Sequence, residues 1–125
     1  MFGGTDLKIL LSFDIDGTLE VGDPPGPVTL EMVIRAKERG FLVGSCSDRP
    51  LAVQKGIWES QGIEVDFAKV KPGLAQIKEQ FQADDYYHIG DTELDRQFAV
   101  QAGFHFISVD DAPQEPWLAL IPEDR

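Results

Sequence analysis

The sequence predicts an α/β domain: an open parallel sheet with helices packed on both faces. Three observations carry this expectation. Short apolar runs alternate with helical stretches of about ten residues, the pattern of parallel βαβ units. Glycines stand where helices should stop, at Gly40, Gly62 and Gly103. Polar residues cluster just after the strand-like runs, and ligands of open α/β sheets bind beyond the carboxyl ends of the strands.

The elements fall in order. Residues 8–13 (Lys8-Ile9-Leu10-Leu11-Ser12-Phe13) read as a buried strand ending at Asp14. The Gly/Pro-rich run 22–27 can only be a loop. Residues 28–39 have helical spacing, with Leu30, Val33, Ile34 and the Lys37 stem on one side. A second strand is expected at 41–46 and a second helix at 50–61. Ile63-Glu64-Val65-Asp66-Phe67 alternates as a third strand does, and a third helix follows at 73–81. Residues 85–89 read as the fourth strand, 93–101 as the fourth helix and 104–109 as the fifth strand. Right-handed crossovers between them give a three-layer, Rossmann-like sheet.

A chain of 125 residues suits one domain with a core of its own. Residues 1–109 are expected to form that core, with 110–125 as a C-terminal tail on the same domain. The apolar stretch 117–121 lies among Pro113, Pro116 and Pro122, and reads either as a docked segment or as a subunit contact. Cys46 is the one cysteine, which excludes an intramolecular disulfide and suits a reducing interior. No basic region followed by a long apolar segment opens the chain, so neither signal peptide nor membrane span is expected. A cytoplasmic protein is therefore predicted. The net charge of −11, from 22 acidic and 11 basic residues, disfavours nucleic acid and anionic membranes as partners. It still allows a small anionic substrate, because a bound divalent cation reverses the local field.

Asp14 and Asp16 are the first candidate site residues. Residues two apart in extended chain point to one side, so both carboxylates face one spot at the strand's end. Gly17 permits a sharp turn directly afterwards. Two close carboxylates repel when ionised, and a divalent cation relieves the repulsion. A solvated turn is the plainer alternative. The second cluster is Asp91 and Asp95, in Gly90-Asp91-Thr92-Glu93-Leu94-Asp95. Thr92 and Asp95 also read as a capping box, which leaves Asp91 without a structural task. Adding Asp91 to the first pair gives the all-oxygen surroundings that Mg²⁺ prefers.

Ser47, after the second strand, suits a phosphate oxygen near a helix N-terminus, or it caps that helix. Lys71 would neutralise phosphate and the acidic cluster together, or it is a surface lysine. Ser45 and Lys69 compete for these two roles. Arg49 is either a substrate contact or an exposed side chain. Cys46 reads as a small buried residue, because no phosphate loop follows it and no histidine is near in sequence. His88 and His105 fall within apolar strands and read as structural.

Four clusters in fixed order, each after its own strand, together resemble the haloacid dehalogenase-like phosphatase superfamily. Asp14-Ile15-Asp16-Gly17-Thr18 matches the family's Asp-x-Asp-Gly-Thr. Ser47-Asp48-Arg49-Pro50 is similar to its Thr-Gly-Arg-Pro, with Asp48 where a small residue is common. Lys71-Pro72 matches the third motif, and Gly90 to Asp95 the fourth, Gly-Asp-x-x-x-Asp. The resemblance spans residues 8–109.

This resemblance implies a Mg²⁺-dependent phosphomonoesterase. Asp14 would attack phosphorus to form an aspartyl-phosphate, and Asp16 would act as general acid and then base. Mg²⁺ would sit between the Asp14 and Asp91 side chains and the Asp16 carbonyl, with Asp95 orienting the set or ligating. Thr18, Ser47 and Lys71 would hold the phosphoryl oxygens. Dehalogenating members lack the second acid, so Asp16 favours phosphoryl transfer. Only 28 residues separate Thr18 from Ser47 (19 through 46), too few for an inserted cap. A capless, open site is expected, acting on a small phosphorylated substrate or a phosphorylated macromolecule, with a neighbouring subunit of a homo-oligomer as a conceivable lid. Two rivals belong to other classes: a binding or scaffold protein of this family with little turnover, and a signalling receiver domain with its acceptor aspartate after the third strand.

Overall fold

In the computed structural model, which describes residues 7–121, five strands form one parallel sheet. They are β1 (Ile9–Phe13), β2 (Leu42–Ser47), β3 (Phe67–Val70), β4 (Asp85–Gly90) and β5 (His105–Ser108). Their order across the sheet is β3-β2-β1-β4-β5. The chain steps outward twice on one side of β1, then crosses to pair β4 on the other. The topological switch point of the sheet therefore lies between β1 and β4, where open α/β sheets place their ligands. Receiver domains use a different order, 2-1-3-4-5, and no aspartate follows β3, where Lys71-Pro72 stands. The receiver reading fails on both counts.

All five residues of β1 are buried, as a central strand covered on both faces requires. Ile9, Leu11 and Phe13 pack with Val33, Ala36 and Trp58 from α1 (Leu30–Glu38) and α2 (Leu51–Ser60). Leu10 turns to the other face, where α3 (Leu74–Gln80) and α4 (Glu93–Ala102) supply Leu74, Ile77 and Ala99. The two-residue period of β1 thus builds both halves of the core. Each large apolar side chain so enclosed contributes roughly 1.5–3 kcal/mol. No helix among the described residues is long and apolar enough to cross a membrane.

Most bounds fall within a residue of the sequence expectation, and the first helix and the third strand depart from it further. The first helix starts at Leu30 rather than Val28, because Val28 bridges to Leu19 and Thr29 caps the helix by accepting from the Met32 N–H at 3.2 Å. Its inner face runs through Val33 and Ala36, whereas Ile34 is 40% exposed. The third strand is Phe67–Val70, not 63–67. Pairing with β2 decides this: Gly44 faces Phe67 and Ser47 faces Val70. Asp66 closes the start of the pairing, its N–H donating to the Val43 carbonyl and its carboxylate accepting from the Val43 N–H. The shift places Lys71 directly after β3, at the carboxyl end of the sheet.

Beyond β5, described residues 110–121 fold back over the α1/α2 face; residues 122–125 of the tail, like 1–6, lie outside the described residues. Trp117 is fully buried and meets Phe13 edge-on at 5.7 Å between ring centroids. Arg39 donates to the Leu118 and Ile121 carbonyls, and Arg35 pairs with Glu115 at 3.2 Å.

Candidate active site

Asp14 leaves β1 with its N–H still bonded to the Ile89 carbonyl, so the strand pairing itself fixes its position. The residue is 4% exposed. Its Oδ1 accepts from the Ile15 N–H at 2.8 Å, and its Oδ2 lies 3.3 Å from Lys71 Nζ. Gly17 then takes φ +76°, a conformation that costs glycine nothing. A Cβ there would collide with the Asp91 carboxylate, so glycine also lets Asp91 close on the loop. Asp14, Asp91 and Asp95 can each bring an oxygen within 4.8 Å of the others.

Lys71 is nearly buried, with Asp95 Oδ1 at 3.0 Å, Asp14 Oδ2 at 3.3 Å and Asp48 Oδ2 at 3.6 Å. Asp95 Oδ1 also meets His88 Nε2 at 3.0 Å, and His88 Nδ1 meets Ser12 Oγ at 2.9 Å. Ser12 and His88 are paired across β1 and β4, and parallel register turns both to the same face. Asp95 Oδ2 accepts from the Thr92 N–H and hydroxyl, completing the capping box that starts α4. With four donors, Asp95 has no oxygen lone pair to spare. It orients Lys71 rather than standing free for a ligand.

Electrostatics follow from this enclosure. Burial, then the charge of Asp95, pushes the Asp14 carboxyl up to about 7, with Lys71 opposing. Burial and Asp95 also raise Asp91. Burial works against ionised Asp95, but the hydrogen bond and charge of His88, with Lys71, hold its carboxyl well below the usual range. Burial likewise works against charged Lys71, and Asp14 and Asp95 override it. Five carboxylates, counting Asp16 and Asp48, meet Lys71 and Arg49, with His88 behind Asp95. Such a surplus of oxygen anions fits a hard divalent cation, with Asp14 and Asp91 the free donors.

A cleft of about 190 Å³ is lined by Asp14, Asp16, Ser47, Asp48, Lys71 and Asp91, with Pro24 and Thr92. Ser47 ends β2, and its Oγ accepts from the Arg49 N–H at 3.0 Å. Its competitor Ser45 is enclosed elsewhere, donating to Gln54 Oε1 and accepting from Trp58 Nε1. Lys69 does not line the cleft. Thr18 departs from expectation: it is fully buried, lines no part of the cleft, and its hydroxyl has no partner. The turn at Gly17 sends that side chain under the loop, where its backbone pairs with Ile15 and Val28. Arg49 grips Asp16, with Nε to Oδ2 at 3.0 Å and Nη2 to Oδ1 at 2.8 Å. That grip, foremost, lowers the Asp16 carboxyl. Burial pushes the Cys46 thiol up to about 12, which agrees with an inert core residue.

The supports of the site are not legible in the sequence alone. His88 and Ser12 are legible only once β1 and β4 are known to pair. Gln54, fully buried, ties the loop after β2 to strand β3 by donating to the Arg49 and Lys69 carbonyls. A glutamine inside an apolar helix face was the available signal. No protein-family model matches the chain, and a search of curated proteins finds no match.

Proposed function

We propose that the chain is a Mg²⁺-dependent phosphomonoesterase of the haloacid dehalogenase-like type, acting through an aspartyl-phosphate on Asp14. One observation carries the reading: Asp14, Ser47, Lys71 and Asp91, from the ends of four different strands, line one cleft at the switch point. Asp14 and Asp91 would hold the cation, which would screen phosphoryl charge when bound. An Asp14 oxygen attacks phosphorus and the bond to the leaving oxygen breaks, that oxygen taking a proton from Asp16. Water, giving its proton to Asp16, then attacks the same phosphorus and the bond to Asp14 breaks, releasing inorganic phosphate. Ser47 and Lys71 hold the phosphoryl oxygens. Lys71 is in turn aimed by Asp95 and His88.

The cleft has no cap between Thr18 and Ser47, so bulky phosphorylated molecules fit the reading, as does a second subunit acting as lid. A cytoplasmic setting belongs to the same proposal, on the strength of the lone buried cysteine. Asp48 favours a second reading, a binding protein with little turnover, because its exposed carboxylate competes with phosphate for Lys71. Assay with p-nitrophenyl phosphate and Mg²⁺ separates the two. Turnover lost in Asp14→Asn supports the enzyme; turnover that survives it removes Asp14 as nucleophile. Mg²⁺ binding with no turnover of any phosphoester supports the binding protein.

A further inference from the structure

Asp16 is turned away from the task the phosphohydrolase reading gives it. Its Oδ1 accepts from Arg49 Nη2 and from the Asp23 N–H, both at 2.8 Å, and its Oδ2 accepts from Arg49 Nε. Proton exchange needs an Asp16 oxygen directed at the leaving atom. Three donors hold the carboxylate instead, and the two from Arg49 favour its charged form, which has no proton to give, so Arg49 has to let go before the chemistry.

How it lets go is constrained. The Arg49 backbone is held at both ends, its N–H on Ser47 Oγ and its carbonyl on Gln54 Nε2. Pro50 further restricts it. Release is therefore a rotation of the side chain alone. The Arg49 and Asp16 side chains are 30% and 35% exposed, so the pair is of the exposed kind that exchanges partners readily. A freed guanidinium still needs an anion with which to form two parallel hydrogen bonds. Lys71 is already committed to Asp14, Asp95 and Asp48. Arg49 instead reaches the residue on the leaving-group side, so the replacement anion belongs to the leaving group.

We infer that Arg49 is a latch on Asp16, released by a second anionic group carried on the substrate's leaving group. Preferred substrates are then phosphate monoesters with a carboxylate or a further phosphate near the scissile ester. The inference rests on the phosphohydrolase reading and adds a substrate class to it. Arg49 is on this account a positioning and specificity residue.

The test compares propyl phosphate, 3-phosphooxypropanoate and 1,3-propanediol bisphosphate, which share a carbon chain, on wild type, Arg49→Ala and Arg49→Lys with Mg²⁺. Wild type should favour an anionic ester by about tenfold or more in kcat/KM, the size of one charge-assisted pair. A preference for only one of the two anionic esters supports the latch and names its anion. Arg49→Ala should cut the preference to within about twofold, raising KM for the anionic esters while kcat on propyl phosphate rises. Arg49→Lys should keep part of it. Equal treatment of all three esters by wild type, or a preference surviving Arg49→Ala, overturns the latch and leaves the phosphohydrolase standing. Equal loss on all three in Arg49→Ala overturns it too, by assigning Arg49 to the scissile phosphoryl group. No turnover of any ester, nor of p-nitrophenyl phosphate, overturns both.

Discussion

Two ion clusters of similar chemistry meet in this cleft at opposite degrees of burial. Around Lys71, the side chains of Asp14 and Asp95 are 6% and 0% exposed, and His88 and Ser12 continue the network inward. Arg49 and Asp16 pair at the mouth, where water reaches both. In the first cluster the enclosed charges of Lys71, Asp14 and Asp95 depend on one another, because solvent cannot replace their partners. In the second, water or a ligand can take either place. The inner cluster is thus fixed framework, and the outer pair is the part free to move.

The largest effect should come from the inner cation. Lys71→Met leaves Asp14 and Asp95 enclosed without it, and should cost about 3–5 kcal/mol in urea unfolding. Adding Asp95→Asn should recover part of the loss. A cost below about 1 kcal/mol would place Lys71 with exposed pairs and erase the comparison.

His88→Phe removes one donor from buried Asp95 and the partner of Ser12, so about 1–3 kcal/mol is expected by the same measurement. An unchanged midpoint would mean that Lys71 and Thr92 suffice to hold Asp95.

The Asp14 carboxyl gives the inner cluster a pH dependence. Its folded-state value of about 7 lies above the ordinary 3.8, so the folded chain binds that proton more tightly than the unfolded chain. Its stabilising contribution is whole below about pH 4 and is lost as pH rises through about 7. Asp95, with its lowered carboxyl, has the opposite sign, but its window lies below the ordinary value of 3.8. In a chelator, wild-type melting temperatures should therefore fall relative to Asp14→Asn between about pH 4 and 7, and run parallel above that. Parallel curves throughout would show that Asp14 is not the buried group governing this range. The smallest effect belongs to the outer pair: Arg49→Ala should shift stability by under about 1 kcal/mol. A larger loss would make Arg49 framework and contradict its freedom to move.

Much of this arrangement was legible in the chain. Asp14, Asp16, Ser47, Asp91 and Asp95 stand beside glycine turns or at strand ends, and local period and punctuation suffice to place them. The third strand is hidden in the sequence because 63–67 alternates convincingly, while Phe67-Ala68-Lys69-Val70 carries a charge and little pattern. Only its register against β2 settles the matter, and register is a long-range property. His88 reads as structural in the sequence and is a buried support in the fold, but its partners are not legible there. Nothing local tells it that Ser12 lies opposite, or that the cap of α4 brings Asp95 within 3.0 Å. Thr18 was assigned to phosphate by its motif, yet the turn at Gly17 buries it. Arg49 showed its charge in the sequence but not its partner.

The central claim is that Asp14 is the atom donor to phosphorus. Turnover of p-nitrophenyl phosphate with Mg²⁺ can be quenched and the protein reduced with borohydride, which converts an aspartyl-phosphate to homoserine. Peptide mass analysis should find homoserine at position 14 in wild type and none in Asp14→Asn. Homoserine at another aspartate, or turnover of Asp14→Asn at the wild-type rate, would contradict the account.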